Sequence, residues 1–592
     1  MQTQNNTILS EKTTVRARIA TDKELDNIEI EFEGKPLPAF WGESIAATLT
    51  ANGILDLRKT RDGSPRGLFC GMGICHDCLV EIDGQPNQRA CMTKVDRPMK
   101  VRRQEFLGKP SPAPLGTNDT PDKSTEFEPI ELLVIGGGIA GMSAAATAAE
   151  AGTQVVLLDE RPQLGGQFCK QPTPFHLSAT KTSTDKQVRL GQDLIKRMSN
   201  AGVEVVTEAQ VWGGFPQRDI LVSSNGRTRF FRPDQLIVAT GAYERGLPLP
   251  GWTLPGVMTT GGAQSLFRSY RVIPGNRILV AGNGPFNLQV ALELAEAGAT
   301  IVAIAESAPK PGLGSVGALY KMFLGSRRLL FDGARYSLAI KRRKIPLLYS
   351  HQLTSIDQTA GTLRSQLASS KTQTLEPSYS FDSDIVCMGY GFLPANALLR
   401  ALGCAHSYDK TRGHLVVNRS NTFETTVPGV YAIGDCASLG GAYAAAEEGV
   451  ITGLHTAALA GHQPGRALLK EVESARIRLT LHRQFQSGLW RLYAAPQINT
   501  ALANSETEVC RCESVTMGQI DNATQSGCAS IAEVKQRTRA GMGRCQGRYC
   551  ASLLAELLTE LSESPIDEES FFAPRVPVIP VRVGDITMLP ES

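Results

Sequence analysis

The 592-residue chain has no run of 18 or more apolar residues, so no membrane-spanning helix is expected. Its opening, MQTQNNTILSEKTT, lacks a basic stretch followed by an apolar one, so no secretory signal is read there. Charge imbalance is also small. Lys+Arg 61 against Asp+Glu 58 leaves +3, too weak a field to draw in nucleic acid or an anionic membrane. No acid/base pair stands out, so no catalytic residue is named. These absences describe a cytoplasmic protein with no transmembrane segment and no nucleic-acid partner, one that would meet a membrane only through other proteins. In a reducing compartment cysteines stay thiols, and clustered ones signal metal or redox chemistry.

What the chain does have is cysteine in two tight sets. Cys70, Cys75, Cys78 and Cys91 lie in LFCGMGICHDCLVEIDGQPNQRACM; Cys510, Cys512, Cys545 and Cys550 lie in VCRCES and GMGRCQGRYC. C-x4-C-x2-C with a distant fourth cysteine is plant-type [2Fe–2S] spacing, whereas zinc sites usually repeat C-x2-C. Gly71 and Gly73 let the loop wrap closely and aim N–H groups at sulfur. The first set therefore reads as an electron carrier. In the second, composition leaves zinc and iron–sulfur both open. Arg511, Arg544 and Arg548 flank it, either favouring thiolates or forming a solvated docking face. The other five cysteines read as small buried hydrophobes. His76, between two candidate ligands, reads as a surface residue.

Between the sets lies glycine-rich text. ELLVIGGGIAGMSAAATAAEAGTQVVLLDE is a strand–turn–helix–strand unit. Gly136 makes the turn, Gly138 admits a pyrophosphate to the backbone, and Gly141 lets helix and strand pack closely. Ile139 and Ala140 open the helix whose N-terminus attracts phosphate. Asp159, with Glu160 beside it, is placed to meet a ribose. NRILVAGNGPFNLQVALELAEAGATIVAIAES repeats the pattern with Gly282 and Gly284, and Glu306 in the acid's place. Asn287 replaces its third glycine and should loosen the helix–strand contact or crowd a pyrophosphate. A working NAD(P) or adenine-nucleotide site and a scaffold domain both remain open there.

Three further stretches resemble the flavoprotein family with paired dinucleotide domains: LIVATGAYER, TTVPGVYAIGDCAS and LGGQ. That resemblance implies FAD at the first turn, with Thr240 and Gly241 at the return to the FAD domain. It implies Gly434 and Asp435 at the ribityl–pyrophosphate region, and Gly166 and Gln167 near the flavin. Tyr243 and Glu244 follow the Ala-Thr-Gly and read as loop. The second cysteine set resembles the bacterioferritin-associated-ferredoxin-like module, which holds a [2Fe–2S] cluster. LPLPGWTLPGVMTTGGAQSL, GYGFLPANALLRALGC and TRAGMGRCQGRYC resemble the α subunits of opine oxidase, D-hydroxyproline dehydrogenase and hydrogen cyanide synthase. The α subunit of sarcosine oxidase is a more distant likeness.

The implied fold is multidomain α/β. A β-grasp-like ferredoxin domain spans 13–105, resembling a separate small subunit fused in front, and a linker spans 106–128. Paired Rossmann-like domains of the disulfide-reductase type follow at 129–465, the second nucleotide unit at about 274–355. A helical connector at 466–504, the small second cluster domain at 505–562 and an extended tail at 563–592 complete the chain. The expected cofactors are FAD and two [2Fe–2S] clusters. The expected activity is transfer of electrons from an amine, imino-acid or opine C–N bond, oxidised on a β-type flavoprotein partner, to a downstream acceptor. One rival reading is an NAD(P)H-dependent reductase; the other is a non-catalytic assembly subunit.

Overall fold

The computed structural model describes residues 27–105, 126–173, 185–224, 226–371, 375–493, 500–562 and 564–587. The expected strand TTVRARI and most of the linker lie outside these residues. NIEIEF alternates as a half-buried strand should, and it forms Asn27–Phe32 inside a five-stranded sheet. Its partners are Lys35–Phe40 and Lys100–Arg103, with Leu79–Ile82 and Gln85–Arg89 beyond. The helix Ile45–Ala51 is wholly buried, and its Ser44 cap accepts from the Ala47 N–H at 3.2 Å.

The apolar runs of the first glycine-rich unit form a parallel core. Glu204–Val206, Val155–Leu158, Glu128–Ile135 and Arg227–Val238 lie side by side, and Val430–Ala432 pairs with the last of them. Strands covered by helices on both faces read as continuous Val/Ile/Leu, which explains ELLVI and VVLL. The second unit is again parallel, in the order Val257–Thr259, Ile385–Gly389, Arg277–Gly282, Thr300–Glu306, Leu347–Tyr349. It is wider than the expected 274–355, because strands from either side of the fingerprint complete the sheet.

The connector is one helix, Arg466–Leu492. It packs on Ala442–Leu459 and on Val316–Gly325, an element inserted after the second unit's acid-bearing strand. Three helices, Met517–Gln525, Ile531–Thr538 and Ala551–Ser562, build the C-terminal cluster domain. The proline-rich tail lies on the first unit. Val576, Ile579 and Val581 cover Trp212, Leu221 and Phe230, and the Val578 N–H donates to the Trp212 carbonyl at 2.8 Å. No helix among the described residues is long and apolar enough to cross a membrane.

Candidate functional site

The first four thiols are buried and free. They meet in two pairs, Cys70 with Cys75 and Cys78 with Cys91. Gly71 and Gly73 take positive φ, and the loop they bend aims N–H groups inward. Those of Met72 and Cys75 approach the Cys70 sulfur at 3.5 Å each, and that of Asp77 approaches Cys75 at 3.4 Å. Burial pushes the Cys70 thiol up, yet contact with Cys75 and the surrounding N–H groups bring it down to about 6. Among the described residues no three or more His, Cys, Asp or Glu converge to hold a single metal ion. Thiols in two pairs suit a two-iron cluster, which takes two thiolates per iron, better than one tetrahedral zinc.

The second set repeats this arrangement, Cys510 with Cys550 and Cys512 with Cys545. The Cys550 contact draws Cys510 down to about 7 against its burial. The two sets are neighbours: the Cys512 sulfur lies 3.9 Å from the Cys75 carbonyl oxygen. Between them runs a buried ion network. Asp77 takes Arg58 on one oxygen at 2.8 Å and Arg511 on the other at 2.7 Å. Arg511 also donates to the Trp252 carbonyl at 2.6 Å and stacks over Phe69 with its guanidinium carbon 3.8 Å from the ring centroid. Arg66 pairs with Glu508 at the same junction. Arg511 is therefore an internal clamp and not a solvated flank. His76 is likewise buried, not on the surface; burial, with Arg89, Arg548 and Arg544 nearby, pushes it down to about 3. Nothing in the linear sequence announced Arg58 or Trp252.

At the first dinucleotide turn, a Cβ on Gly141 would stand 1.9 Å from the Gly136 carbonyl oxygen, so that glycine is required by close packing. Gly138 differs. Its φ is −78°, and a Cβ there would meet nothing nearer than the Gly166 Cα at 3.9 Å. The open face beside it is the cradle an approaching pyrophosphate needs. Asp159 spends both oxygens on the backbone, accepting from Gly137 at 2.6 Å and Arg161 at 2.7 Å. It holds the turn, and burial raises its carboxyl to about 6. Glu160 is the acid left facing outward; Arg89 of the first cluster domain approaches it at 3.7 Å. Asp435 accepts from Gly440 and Gly441 at 3.0 Å each, at the start of Ala442–Leu459. Thr240 is exposed and donates to the Ala395 carbonyl at 2.7 Å, and Gly241 beside it takes φ +73°. Gly434 takes φ +69° behind Asp435, and Gln167 is exposed. Ile139 and Ala140 are buried in the helix's first turn.

The first cluster loop faces this flavin-type site. A cavity is bounded by Gly71 and Cys91 on one side and by Leu164, Gly166 and Lys170 on the other. The Lys170 ammonium is buried and donates to Ser265 at 2.6 Å. Glu244 is not loop: it lies buried in the short strand Ala242–Glu244 and accepts from the Gly261 N–H at 2.8 Å, with burial raising its carboxyl to about 8.

In the second unit Asn287 neither loosens nor crowds. Its amide donates to the Gly389 carbonyl at 2.9 Å and its oxygen accepts from Thr260 at 2.8 Å, stitching the helix to the neighbouring strand. Gly282 abuts Gly389, and Gly284 takes φ +104°. Glu306 repeats the role of Asp159, accepting from Gly284 at 2.9 Å and Ala308 at 2.8 Å. Burial lifts its carboxyl from 4.5 to about 7. A carboxyl raised this way binds its proton more tightly in the folded protein. Its contribution is full below the unfolded value and is lost as pH rises through the folded one. Glu306→Gln should therefore gain thermal stability relative to the wild type between about pH 5 and about pH 8. A melting difference identical at both pH values would show that Glu306 titrates as in an open chain.

A model of the pyridine nucleotide-disulphide oxidoreductase family matches residues 130–458. A 2Fe-2S iron-sulfur cluster binding domain matches 26–105, and a BFD-like [2Fe-2S] binding domain matches 508–560. The A-type subunit of opine oxidase from Agrobacterium tumefaciens is 31% identical over 489 residues, spanning 78% of this chain and 92% of that one. Hydrogen cyanide synthase subunit HcnB of Pseudomonas aeruginosa is 30% identical over 457 residues, spanning 76% and 96%. Among solved structures, L-proline dehydrogenase from P. horikoshii shares the fold, with TM-score 0.68 over 96% of this chain and 98% of that one at 19% identity. The chain belongs to the pyridine nucleotide-disulphide oxidoreductase family, as an FAD-dependent oxidoreductase subunit related to the A-type subunit of opine oxidase and carrying a [2Fe–2S] domain at each end.

Proposed function

We propose that this chain is the electron-handling subunit of a complex that oxidises a C–N bond in an amine, imino acid or opine. One observation carries the proposal. The first cluster loop faces the flavin-type loop across a shared cavity on one side, and on the other its Cys75 carbonyl oxygen lies 3.9 Å from the Cys512 sulfur of the second set. When bound, a flavin takes an electron pair and releases single electrons, which [2Fe–2S] clusters carry one at a time. The residues that would hold these groups are Gly136, Gly138, Gly141, Thr240 and Asp435 for FAD, with Glu160 toward its ribose. Cys70, Cys75, Cys78 and Cys91 would hold one cluster, and Cys510, Cys512, Cys545 and Cys550 the other. The chain's own groups set the surroundings: backbone N–H groups point at sulfur, and Asp77 with Arg58 and Arg511 locks the two cluster domains together.

Bond cleavage is assigned to a β-type flavoprotein partner, as the subunit status of the opine oxidase and cyanide synthase relatives suggests. A surface fits such a partner. The helix Val316–Gly325 buries Ala318 and Met322 but exposes Val316, Tyr320, Phe323 and Leu324, a second apolar stripe at helical spacing. Phe331 of the next helix continues it. From 308 to 344 nine lysines and arginines stand against one acid, Asp332. An apolar centre with a basic rim suits an acidic partner and disfavours pairing with a second copy.

The test is reconstitution. Holoprotein should hold one flavin and about four irons. With a β-type amine-oxidising flavoprotein it should pass electrons from substrate to an artificial acceptor, and alone it should not. Tyr320→Glu with Phe331→Glu should weaken association at least about tenfold while iron and flavin stay in place. Stoichiometric zinc in place of iron would sink the cluster reading. Bleaching of the flavin by NADH without a partner would favour a reductase instead.

A further inference from the structure

A second cavity lies where the C-terminal tail crosses the second cluster domain. None of its lining residues belongs to either glycine turn or to a cysteine set. Four cations reach it, Arg400, Lys535, Arg548 and Arg575, and among the described residues no Asp or Glu lines it. Arg400 pairs with Glu568 at 3.1 Å behind the wall, and it alone of the four has a carboxylate partner among the described residues. Arg548 donates to the Cys545 and Val578 carbonyls at 2.9 and 3.2 Å. Apolar rings complete the wall. Tyr243 is packed edge-on against Tyr549, and Phe572 lies against Gly541 and Gly547 with Lys535 over its ring.

His414 adds a directional group. Its side chain is buried, 2% exposed as a residue, and its Nε2 has no protein partner. Its Nδ1 stands 3.1 Å from the Leu415 carbonyl oxygen. A carbonyl only accepts, so Nδ1 carries the hydrogen. Burial, with Arg245 and Arg412 nearby, pushes the ring down to about 4, so it is neutral at ordinary pH. The remaining nitrogen is then a bare acceptor, and a buried acceptor without a donor is costly.

We infer that this cavity binds a small aromatic organic anion bearing a hydroxyl or N–H donor. The cations neutralise its charge, Tyr243, Phe571 and Phe572 enclose its ring, and His414 Nε2 accepts from its donor. The lining suits such a ligand, since small-molecule sites pair apolar and aromatic walls with a few placed polar groups. The same cavity borders Gln546, Gly547 and Arg548, between Cys545 and Cys550, so a molecule bound there would touch the second cluster loop.

The fluorescent 6-hydroxy-2-naphthoate is a suitable probe, titrated into full-length holoprotein. Saturable binding at one site is expected. Lys535→Glu with Arg575→Glu, both away from the packed core, should weaken it about tenfold. 2-Naphthoate, which lacks the hydroxyl, should bind about fivefold more weakly to wild type. His414→Phe should erase that preference while flavin and iron contents hold. Equal binding by the charge-reversed protein would overturn the inference. So would an unchanged hydroxyl preference in the His414 variant, or loss of binding only in Tyr320→Glu, which would place the probe on the exposed stripe. Each readout is independent of amine turnover, so failure of the proposed function leaves this test intact.

Discussion

Asp77→Ala is expected to destabilise the junction of the two cluster domains by about 3–5 kcal/mol, the range for breaking a buried ion pair by removing one partner. Asp77 is fully buried, and Arg58 and Arg511 are each 4% exposed. Burial alone would raise the aspartate, yet Arg511, Arg58 and Arg66 hold it below its ordinary range. Truncation would leave two guanidiniums facing an empty space with no counter-charge. The reading should be a lower melting temperature with earlier loss of iron, because Asp77 sits between Cys75 and Cys78 and Arg511 between Cys510 and Cys512. A triple variant, Asp77→Leu with Arg58→Met and Arg511→Met, should recover much of the loss, since an apolar replacement of a whole buried network is often close to neutral. A single Asp77→Ala variant that melts within a degree of wild type would mean that the carboxylate is not the link between the domains.

The contrast between what was legible and what was not follows sequence separation. Cys70 to Cys91 span a single loop and hairpin, and each glycine turn with its acid spans about thirty residues, so their spacing is written in one stretch of text. The paired parallel sheets are legible in the same way, from local periodicity. Contacts between distant segments carried no such mark. Asp77 and Arg511 are 434 residues apart, and the sequence leaves the arginine open between a thiolate neighbour and a solvated face because charge beside cysteine looks alike in both settings. Position alone points Asp159 at a ribose and leaves the same role open to Glu306. The backbone takes their oxygens first, because a buried N–H in a tight turn must find an acceptor. Asn287 was judged as a defective glycine, and only the Gly389 carbonyl and Thr260 hydroxyl across the sheet show what the amide does.

That difference between packing and ligand demands yields the other large expected effect. At Gly141 any side chain strikes the Gly136 carbonyl, so Gly141→Ala should disturb the fold and the flavin together. At Gly138 the protein alone has no need of glycine, because the backbone is extended and the Cβ would have room. Gly138→Ala should therefore leave the melting temperature of flavin-free protein unchanged or slightly higher, through lost chain entropy in the unfolded state. Bound flavin should nevertheless fall by an order of magnitude or more, since a methyl group there stands where the pyrophosphate approaches the helix N-terminus. The second cluster domain should keep its iron, being held by its own cysteines. Full flavin content in a well-folded Gly138→Ala protein would move the dinucleotide away from this turn, and with it the reason for the first cluster loop to face Gly166.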